Sequence, residues 1–126
     1  MLTTGVDIVE ISRIGDMVER WGQRFLDRVY TPGEQAFSRG RIPQLAARFA
    51  AKEAVMKALG TGIRGVGWRE VEVIRRRGRP PEVALHGRAI SRATGMGVSQ
   101  VAISLSHSRD YAIASVVMSI DENSHH

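Results

Sequence analysis

The sequence predicts a single α+β domain, residues 1–126, in which an antiparallel sheet packs on a long central helix. The length fits one domain, and no internal repeat or Pro/Gly/Ser-rich linker divides the chain. Pro43 to Leu59 is rich in alanine and leucine, which favours a helix buried on most sides. Two pairs of short apolar segments, each joined by turn residues, indicate antiparallel strand pairs.

The first third of the chain predicts one strand and two helices. Thr3 to Val9 is rich in β-branched residues, which favours a strand. Ser12 is the expected N-cap of a helix with one apolar face, formed by Ile14, Met17, Val18 and Trp21. Thr31-Pro32-Gly33-Glu34 combines a cap residue, a proline at the first helical position and an acid three residues after the cap. This segment therefore predicts a short helix that ends at about Ser38.

The middle of the chain predicts the central helix and a hairpin. Gly60 is the expected C-terminal stop of the helix, because glycine readily adopts the left-handed conformation that ends helices. The glycine-rich segment 61–67 is expected to be an irregular connection. Two strands follow, Val71 to Ile74 and Val83 to Leu85, joined by the turn Arg77-Gly78-Arg79-Pro80-Pro81.

The last third predicts one helix and a pair of closing strands. The helix is expected from Arg88 to Thr94, with Gly95 at its end. The strands are expected at Val101 to Ser106 and Tyr111 to Val117, joined by His107-Ser108-Arg109-Asp110. Residues from about 120 to 126 are expected to form a flexible tail, whose final histidine pair is either native or an expression remnant.

The composition limits the chemistry and the partners. The chain has a net charge of +5 and a pI of about 10.7, which favours acidic partners: nucleic acid, an anionic membrane, a phosphorylated cofactor or an acidic protein. It has no cysteine, so a metal would need carboxylate or histidine ligands, which favour a hard cation. No apolar stretch reaches the ~18 residues of a membrane span, and the N-terminal segment differs from a signal peptide. We expect a cytoplasmic protein.

Arginines form two groups along the chain. The first comprises Arg13, Arg20, Arg24 and Arg28, and the second comprises Arg75, Arg76, Arg77 and Arg79. Solvated helix and turn faces would explain both groups without any function.

Glu53 and Lys57 are the polar residues of interest on the central helix. They are four residues apart, so they lie on one helix face and could form an ordinary ion pair. Because the rest of the helix is largely apolar, these groups are expected to need partners. A bound cation for the glutamate and a phosphate oxygen for the lysine would also satisfy them.

Asp7 is an acid within the apolar first strand. Strand alternation places Asp7 and Val9 on the face opposite Val6 and Ile8. Asp7 could cap the next helix, pair with an arginine or hold a metal. Together with Glu53 it would make a plausible Mg²⁺ site, because Mg²⁺ is usually bound by one or two carboxylates, with waters and phosphates as the other ligands.

His107 has a hydroxyl residue on each side. Neighbouring residues of a strand point to opposite faces, and no G-x-S-x-G motif occurs, so a hydrolase triad is not indicated. The histidine could bind phosphate, or it could bond only to its own turn. His86 is expected to be structural.

Three segments resemble one known family. They are G-V-D-I-V-E-I-S-R-I at residues 5–14, R-F-A-A-K-E-A-V-M-K-A-L-G-T-G at residues 48–62 and I-S-L-S-H-S-R-D-Y-A-I-A at residues 103–114. In this order they resemble the holo-acyl-carrier-protein synthases, the short bacterial 4′-phosphopantetheinyl transferases. The resemblance implies the fold of that family and transfer of 4′-phosphopantetheine from coenzyme A to a serine of apo acyl carrier protein, for fatty acid biosynthesis. Adenosine 3′,5′-bisphosphate is the other product.

The resemblance also implies residue roles. Asp7 and Glu53 would bind Mg²⁺, and Lys57 would contact the phosphates; these three are the catalytic candidates. Binding of coenzyme A would involve Arg48, Lys57, Gly60, Arg77, Pro80, His107 and Ser108. The family is a homotrimer with sites at subunit interfaces, and Arg13, Arg20, Arg24 and Arg28 would dock the acidic carrier protein.

The resemblance has two departures, and one rival function stands beside it. Arg77 precedes Gly78-Arg79-Pro80, where many relatives have asparagine before Gly-Lys-Pro, and Ser108 replaces a frequent threonine. The rival, suggested by the pI, is a nucleic-acid-binding module. The sequence has only seven aromatic residues and no helix-turn-helix or ribonucleoprotein pattern, which argues against that module.

Overall fold

A long buried helix and the sheet packed against it organise the fold. The computed structural model describes residues 1–121. The strands are β1 (Leu2–Glu10), β2 (Val71–Ile74), β3 (Glu82–Leu85), β4 (Val98–His107) and β5 (Tyr111–Ile120). The helices are α1 (Ile11–Trp21), α2 (Gln23–Val29), α3 (Pro32–Ser38), α4 (Ile42–Leu59), α5 (Gly62–Gly65) and α6 (Gly87–Met96), with a 3₁₀ turn at Trp68–Glu70.

Helix α4 is the predicted central helix. Small side chains let it approach the sheet closely, and those of Ala46, Ala50, Ala54 and Ala58 are completely or almost completely buried. Gly5 of β1 provides the matching contact, because a Cβ atom at this position would lie 1.9 Å from the carbonyl oxygen of Ala54. Only glycine therefore permits the observed distance between β1 and α4. Gly60 ends the helix in the left-handed conformation (φ 72°), as predicted.

The main sheet is antiparallel, with strand order β1-β5-β4. Its inner face packs on α4 through buried residues of β5: Ala112, Ala114, Val116 and Met118. Its outer face carries exposed apolar side chains of β1 and β5: Val6, Ile8, Tyr111, Ile113 and Val117. The register pairs Asp7 with Ala114, so Asp7 lies on the inner face. The alternation correctly separated Asp7 from Val6 and Ile8, but it did not predict which of the two faces is the inner one.

Strands β2 and β3 form a second antiparallel sheet, attached to α4 by a buried ion pair. Lys52 Nζ lies 2.7 Å from Glu34 Oε1, and both side chains are fully buried. Lys52 also donates to the carbonyl oxygens of Trp68 and Val71, while Glu34 Oε2 accepts from Val73 N. One lysine thus joins α3, α4 and β2.

The α+β class, the antiparallel pairing and the long helix are confirmed, whereas the predicted antiparallel sheet is divided into two sheets within residues 1–121. The capping box of α3, formed by Thr31 and Glu34, is also confirmed. Ser12 is not an N-cap: α1 begins at Ile11, and Glu10 occupies the cap position without a side-chain hydrogen bond. Trp21 is partly exposed rather than buried with the core.

Several element boundaries also differ from the prediction. Helix α2 was not expected, and the glycine-rich connection contains the short helix α5. Helix α6 passes Gly95 and ends at Gly97, which has the left-handed φ of 83°. Both closing strands are longer than predicted, and buried Ile120 belongs to β5 instead of the expected tail. The rest of that tail, residues 122–126 with the histidine pair, lies outside the described residues.

The helices of residues 1–121 include none that is long and apolar enough to cross a membrane.

Candidate active site

Asp7 projects from β1 towards α4, where its partner is Lys57. Lys57 Nζ donates to Asp7 Oδ1 at 2.8 Å and to the carbonyl oxygen of Val6 at 3.1 Å. The Asp7 side chain is 13% exposed and that of Lys57 is 55% exposed. The hydrogen bond to Asp7 raises the pKa of Lys57. Neither a helix cap nor an arginine explains Asp7, because the partner is a lysine from a distant part of the chain.

Glu53 lies one turn before Lys57 on the same helix. The ordinary ion pair between them is not formed, since Lys57 pairs with Asp7. Burial raises the pKa of Glu53, and the nearby carboxylate of Asp7 acts in the same direction against the charges of Lys57 and Arg13. Glu53 and Asp7 are therefore close enough to repel each other when both are ionised.

A cavity of about 210 Å³ opens beside these residues. Glu53, Met56 and Lys57 of α4 form one side of it, and Gly62, Ile63 and Trp68 form the other. Trp68 is held in place from two directions: its carbonyl oxygen accepts from Lys52, and its ring stacks on Phe49 at 4.8 Å between centroids. Residues of the glycine-rich connection therefore form a wall that the sequence did not reveal as part of the site.

The two carboxylates fit a hard divalent cation. Burial raises the pKa of Glu53, with a smaller contribution from the charge of Asp7, and a positive ion between the two carboxylates would offset both effects. Within residues 1–121 no group of three or more His, Cys, Asp and Glu side chains could hold a metal, so a cage made of protein ligands alone is not present there. Two carboxylates with water and phosphate oxygens as the other ligands suit Mg²⁺.

Arg48 forms a separate, cationic site on α4. Arg48 is 3% exposed, and its Nε atom has no hydrogen-bond partner among residues 1–121. One terminal nitrogen donates to the carbonyl oxygen of Gln44, and the guanidinium lies 4.4 Å from the ring centroid of Phe37. Burial lowers the pKa of Arg48, and the charge of Arg75 adds to that effect while Glu34 opposes it. A buried guanidinium with an unbonded nitrogen is well suited to bind an anion.

His107 lines the same cavity as Arg48. The cavity has a volume of about 240 Å³, and Arg75 also lines it. Among the predicted nucleotide-binding residues, the structure thus brings Arg48 and His107 together. Arg75 was not selected from the sequence, although it stood in the second arginine group, because its orientation depends on how β2 leaves the core.

The other predicted donor-binding residues, apart from Lys57 in the acidic cavity, line neither cavity. Arg77 and Pro80 are exposed in the turn between β2 and β3. Ser108 Oγ accepts from Tyr111 N within the turn between β4 and β5. Gly60 ends α4, where an added Cβ atom would lie 3.5 Å from the guanidinium of Arg92.

The acidic site and the Arg48 site face different directions. Glu53 and Arg48 are five positions apart on one helix, which separates their side chains by about 140° around its axis. The cavity beside Glu53 and the cavity beside Arg48 have no lining residue in common. A single chain therefore does not combine the two sites in one pocket.

Two members of the first arginine group, Arg24 and Arg28, line an apolar groove between α1 and α2. The groove has a volume of about 400 Å³ and is lined by Met17, Trp21, Arg24, Phe25 and Arg28. Arg20 lies over the ring of Trp21 at 5.2 Å from its centroid. All four arginines predicted for docking are exposed. The apolar centre of this groove was missed from the sequence, because it depends on the chain reversal at Gly22 (φ 55°).

The fold and the acidic site define the class of protein: the chain belongs to the 4′-phosphopantetheinyl transferase superfamily, whose family model matches residues 3–116. Among curated relatives, it is 49% identical to a holo-[acyl-carrier-protein] synthase of Dehalococcoides mccartyi, over 93% of this chain and 98% of the relative. It is 50% identical to the synthase of Herpetosiphon aurantiacus, with the same coverage of 93% and 98%.

Solved structures of the same kind have the same fold. The Helicobacter pylori holo-[acyl-carrier-protein] synthase in complex with coenzyme A has a TM-score of 0.84 and 31% identity, covering 92% of this chain and 99% of that chain. The Neisseria meningitidis synthase has a TM-score of 0.84 and 36% identity, covering 93% of this chain and 97% of that chain. The resemblance inferred from the three sequence segments is thereby confirmed.

Proposed function

We propose that this protein transfers 4′-phosphopantetheine from coenzyme A to a serine of apo acyl carrier protein, releasing adenosine 3′,5′-bisphosphate, as a step that supplies fatty acid biosynthesis. The observation that carries the proposal is the convergence of Asp7 with Glu53 and Lys57, the last two of which line one cavity. All three lie in the segments that resemble the family, and relatives at about half identity are named for this activity. We also propose a cytoplasmic location, because the carrier protein would be used there for fatty acid synthesis.

The acidic site would hold Mg²⁺ through Asp7 and Glu53. When bound there, the cation would offset the negative charge of the coenzyme A diphosphate. The serine oxygen attacks the phosphorus that carries pantetheine, and the bond from this phosphorus to the oxygen of the adenosine 5′-phosphate breaks. Lys57 stabilises the charge that develops on that leaving oxygen. Glu53, beside the cation, receives the serine proton through one water molecule.

The Arg48 site would bind the nucleotide end of the donor. Arg48, Arg75 and His107 offer two guanidiniums and an imidazole around one cavity, which suits the 3′-phosphate and adenine. Arg77 and Pro80 would contribute further contacts with the nucleotide from the exposed turn. Gly60 and Ser108 would lie along the donor.

A homotrimer would join the two sites. The exposed apolar side chains on the outer face of the main sheet support such an interface, since Val6 and Ile8 alone are 60% and 58% exposed. The opposite orientation of the two sites on α4 supports an active site built from Asp7 and Glu53 of one subunit and Arg48 of its neighbour.

Subunit mixing tests this arrangement. Arg48→Gln and Glu53→Gln proteins are expected to be inactive alone. Refolded together, they are expected to recover up to about a quarter of the wild-type activity, because a mixed ring contains one interface without either substitution. No recovery, with mixed oligomers verified by mass, would contradict a shared site.

The groove between α1 and α2 would receive the carrier protein. Arg24 and Arg28 in the groove, with the exposed Arg13 and Arg20 of α1, would attract an acidic helix. Met17, Trp21 and Phe25 would contact the apolar residues of that helix. This role uses the basic surface that could otherwise suggest nucleic-acid binding, and the family relationship does not favour that alternative.

The direct test is to incubate the protein with coenzyme A, Mg²⁺ and an apo acyl carrier protein and to weigh the carrier. We expect a gain of one phosphopantetheine on a serine, equal release of adenosine 3′,5′-bisphosphate, and loss of both when a chelator is added. An unmodified carrier, with retention on nucleic acid instead, would favour the rival function.

A further inference from the structure

The bond between Lys57 and Asp7 has a consequence for how the cation and the donor bind. Lys57 Nζ uses two of its three donors on β1, one on Asp7 Oδ1 and one on the carbonyl oxygen of Val6. Asp7 is mostly buried, whereas the Lys57 side chain is more than half exposed. The carboxylate is therefore fixed, and the ammonium is held by its hydrogen bonds and not by packing.

A divalent cation on Asp7 would compete with this ammonium. Both are positive and both are attracted to the same carboxylate, so the presence of one weakens the binding of the other. The exposed aliphatic chain of Lys57 permits the ammonium to turn from β1 into the cavity that Lys57 itself lines with Glu53. A diphosphate in that cavity would offer the displaced ammonium new acceptors.

We propose that Lys57 exchanges partners during assembly of the site: it leaves Asp7 when the cation binds and moves to the diphosphate, so that cation and donor strengthen each other's binding. This inference rests on the proposed function, since it takes Asp7 as a cation ligand and a diphosphate as the donor group. The exchange gives Lys57 two positions, one at Asp7 and one at the diphosphate. It also gives Lys57 a role in coupling cation and donor binding, in addition to its contact with the phosphates.

The exposure of the Lys57 side chain limits how strongly its ion pair with Asp7 can affect cation binding. Exposed ion pairs change an equilibrium by about fivefold or less. Removing the Lys57 ammonium should therefore tighten cation binding to the donor-free protein by about twofold to fivefold. By linkage, the same substitution should reduce the factor by which bound donor increases the affinity for the cation, and bound cation the affinity for the donor.

The experiment compares Lys57→Met with Arg13→Met. Arg13 is a matched control, because its charge also acts on Glu53 while none of the hydrogen bonds described for residues 1–121 joins it to Asp7. Mn²⁺ binding is measured from the electron paramagnetic resonance signal of the free ion, with and without coenzyme A, after correction for Mn²⁺ bound by coenzyme A itself. We expect Lys57→Met to bind Mn²⁺ more tightly than Arg13→Met without the donor and to gain less from coenzyme A.

A second measurement observes the ammonium of the wild-type protein directly. In ¹⁵N-detected NMR of lysine ammonium groups, the bond to Asp7 should slow proton exchange at Lys57 Nζ, and Asp7→Asn should abolish this protection. Adding Mg²⁺ alone is expected to accelerate the exchange, and adding coenzyme A afterwards is expected to slow it again.

The results of these two measurements distinguish a failure of the proposed exchange of partners from a failure of the proposed function. Equal Mn²⁺ affinities for Lys57→Met and Arg13→Met, with binding still lost in Asp7→Asn, would overturn the exchange of partners and leave the cation site intact. An ammonium signal that does not respond to Mg²⁺ would overturn it as well. Wild-type protein that binds neither Mn²⁺ nor coenzyme A would overturn the proposed function, and the inference with it.

Discussion

Replacing Gly5 by alanine tests how a packing contact between β1 and α4 positions the catalytic acids. The new Cβ atom would lie 1.9 Å from the carbonyl oxygen of Ala54 and 3.1 Å from the amide nitrogen of Ala58. Ordinary contact begins at 3.4 Å, so β1 must move away from α4 by about 1.5 Å at this point. Asp7 is two residues further along the strand and would move with it.

The shift affects both stability and activity. Overpacking of this kind costs about 1–3 kcal/mol, which lowers Tm by roughly 4–12 °C for a chain of this length. The movement would carry Asp7 away from Glu53, which stays on α4. Displacement of a catalytic group by about 1 Å can cost about 100-fold in rate, so transfer should fall by about that factor.

Thermal unfolding and the rate of carrier modification measure the two effects. Gly15→Ala is the control, because its Cβ atom would meet only a side-chain carbon of Ile42 at 3.7 Å, and alanine within a helix stabilises by up to about 1 kcal/mol relative to glycine. A Gly5→Ala protein with the Tm and transfer rate of the wild type would refute the reasoning about this contact.

Three further predictions concern a buried pair, an acid and a docking surface. Lys52→Met should lower the free energy of unfolding, measured in denaturant, by about 3–5 kcal/mol, because it leaves the Glu34 carboxylate buried without its partner. Adding Glu34→Gln to this variant should recover part of the loss. A double variant whose loss equals the sum of the two single losses would contradict this prediction. Glu53→Gln should raise Tm at neutral pH in the absence of divalent cations, because a carboxyl group with a raised pKa lowers stability when it is ionised. This gain in Tm should disappear as the pH falls below the ordinary pKa of glutamate. A gain that persists in acid would contradict the raised pKa of Glu53. Arg24→Glu should raise KM for the carrier protein at least about tenfold and leave KM for coenzyme A unchanged, whereas an equal rise in both would argue against docking in the groove.

Local patterns explain what the sequence could predict. The capping box of α3 is contained in four consecutive residues, and the apolar composition of 43–59 is sufficient to predict a buried helix. Strand alternation correctly placed Asp7 on the face opposite Val6 and Ile8, although it did not indicate that this face is the inner one. Motif resemblance then joined Asp7 to Glu53 across the chain, which no periodicity could do.

The remaining features depend on contacts between distant segments. Lys57 is 50 positions from Asp7, and the spacing within one helix offered only Glu53 as an alternative ion-pair partner. Gly95 and Gly97 are equally plausible helix ends in the sequence, and only the packed chain determines that Gly97 takes the left-handed conformation. Lys52 was not selected at all, because its partner Glu34 lies in another helix and their burial depends on the second sheet.

The central claim is that Glu53 belongs to the reacting site of a phosphopantetheinyl transferase. Its most direct test is the initial rate at which intact mass spectrometry detects modified carrier protein, with coenzyme A and Mg²⁺ saturating, for the wild type and Glu53→Gln. Because the variant loses a cation ligand and the base for the serine proton, we expect its rate to fall by at least about 100-fold while it stays folded. A Glu53→Gln protein that modifies the carrier at the wild-type rate would contradict the account.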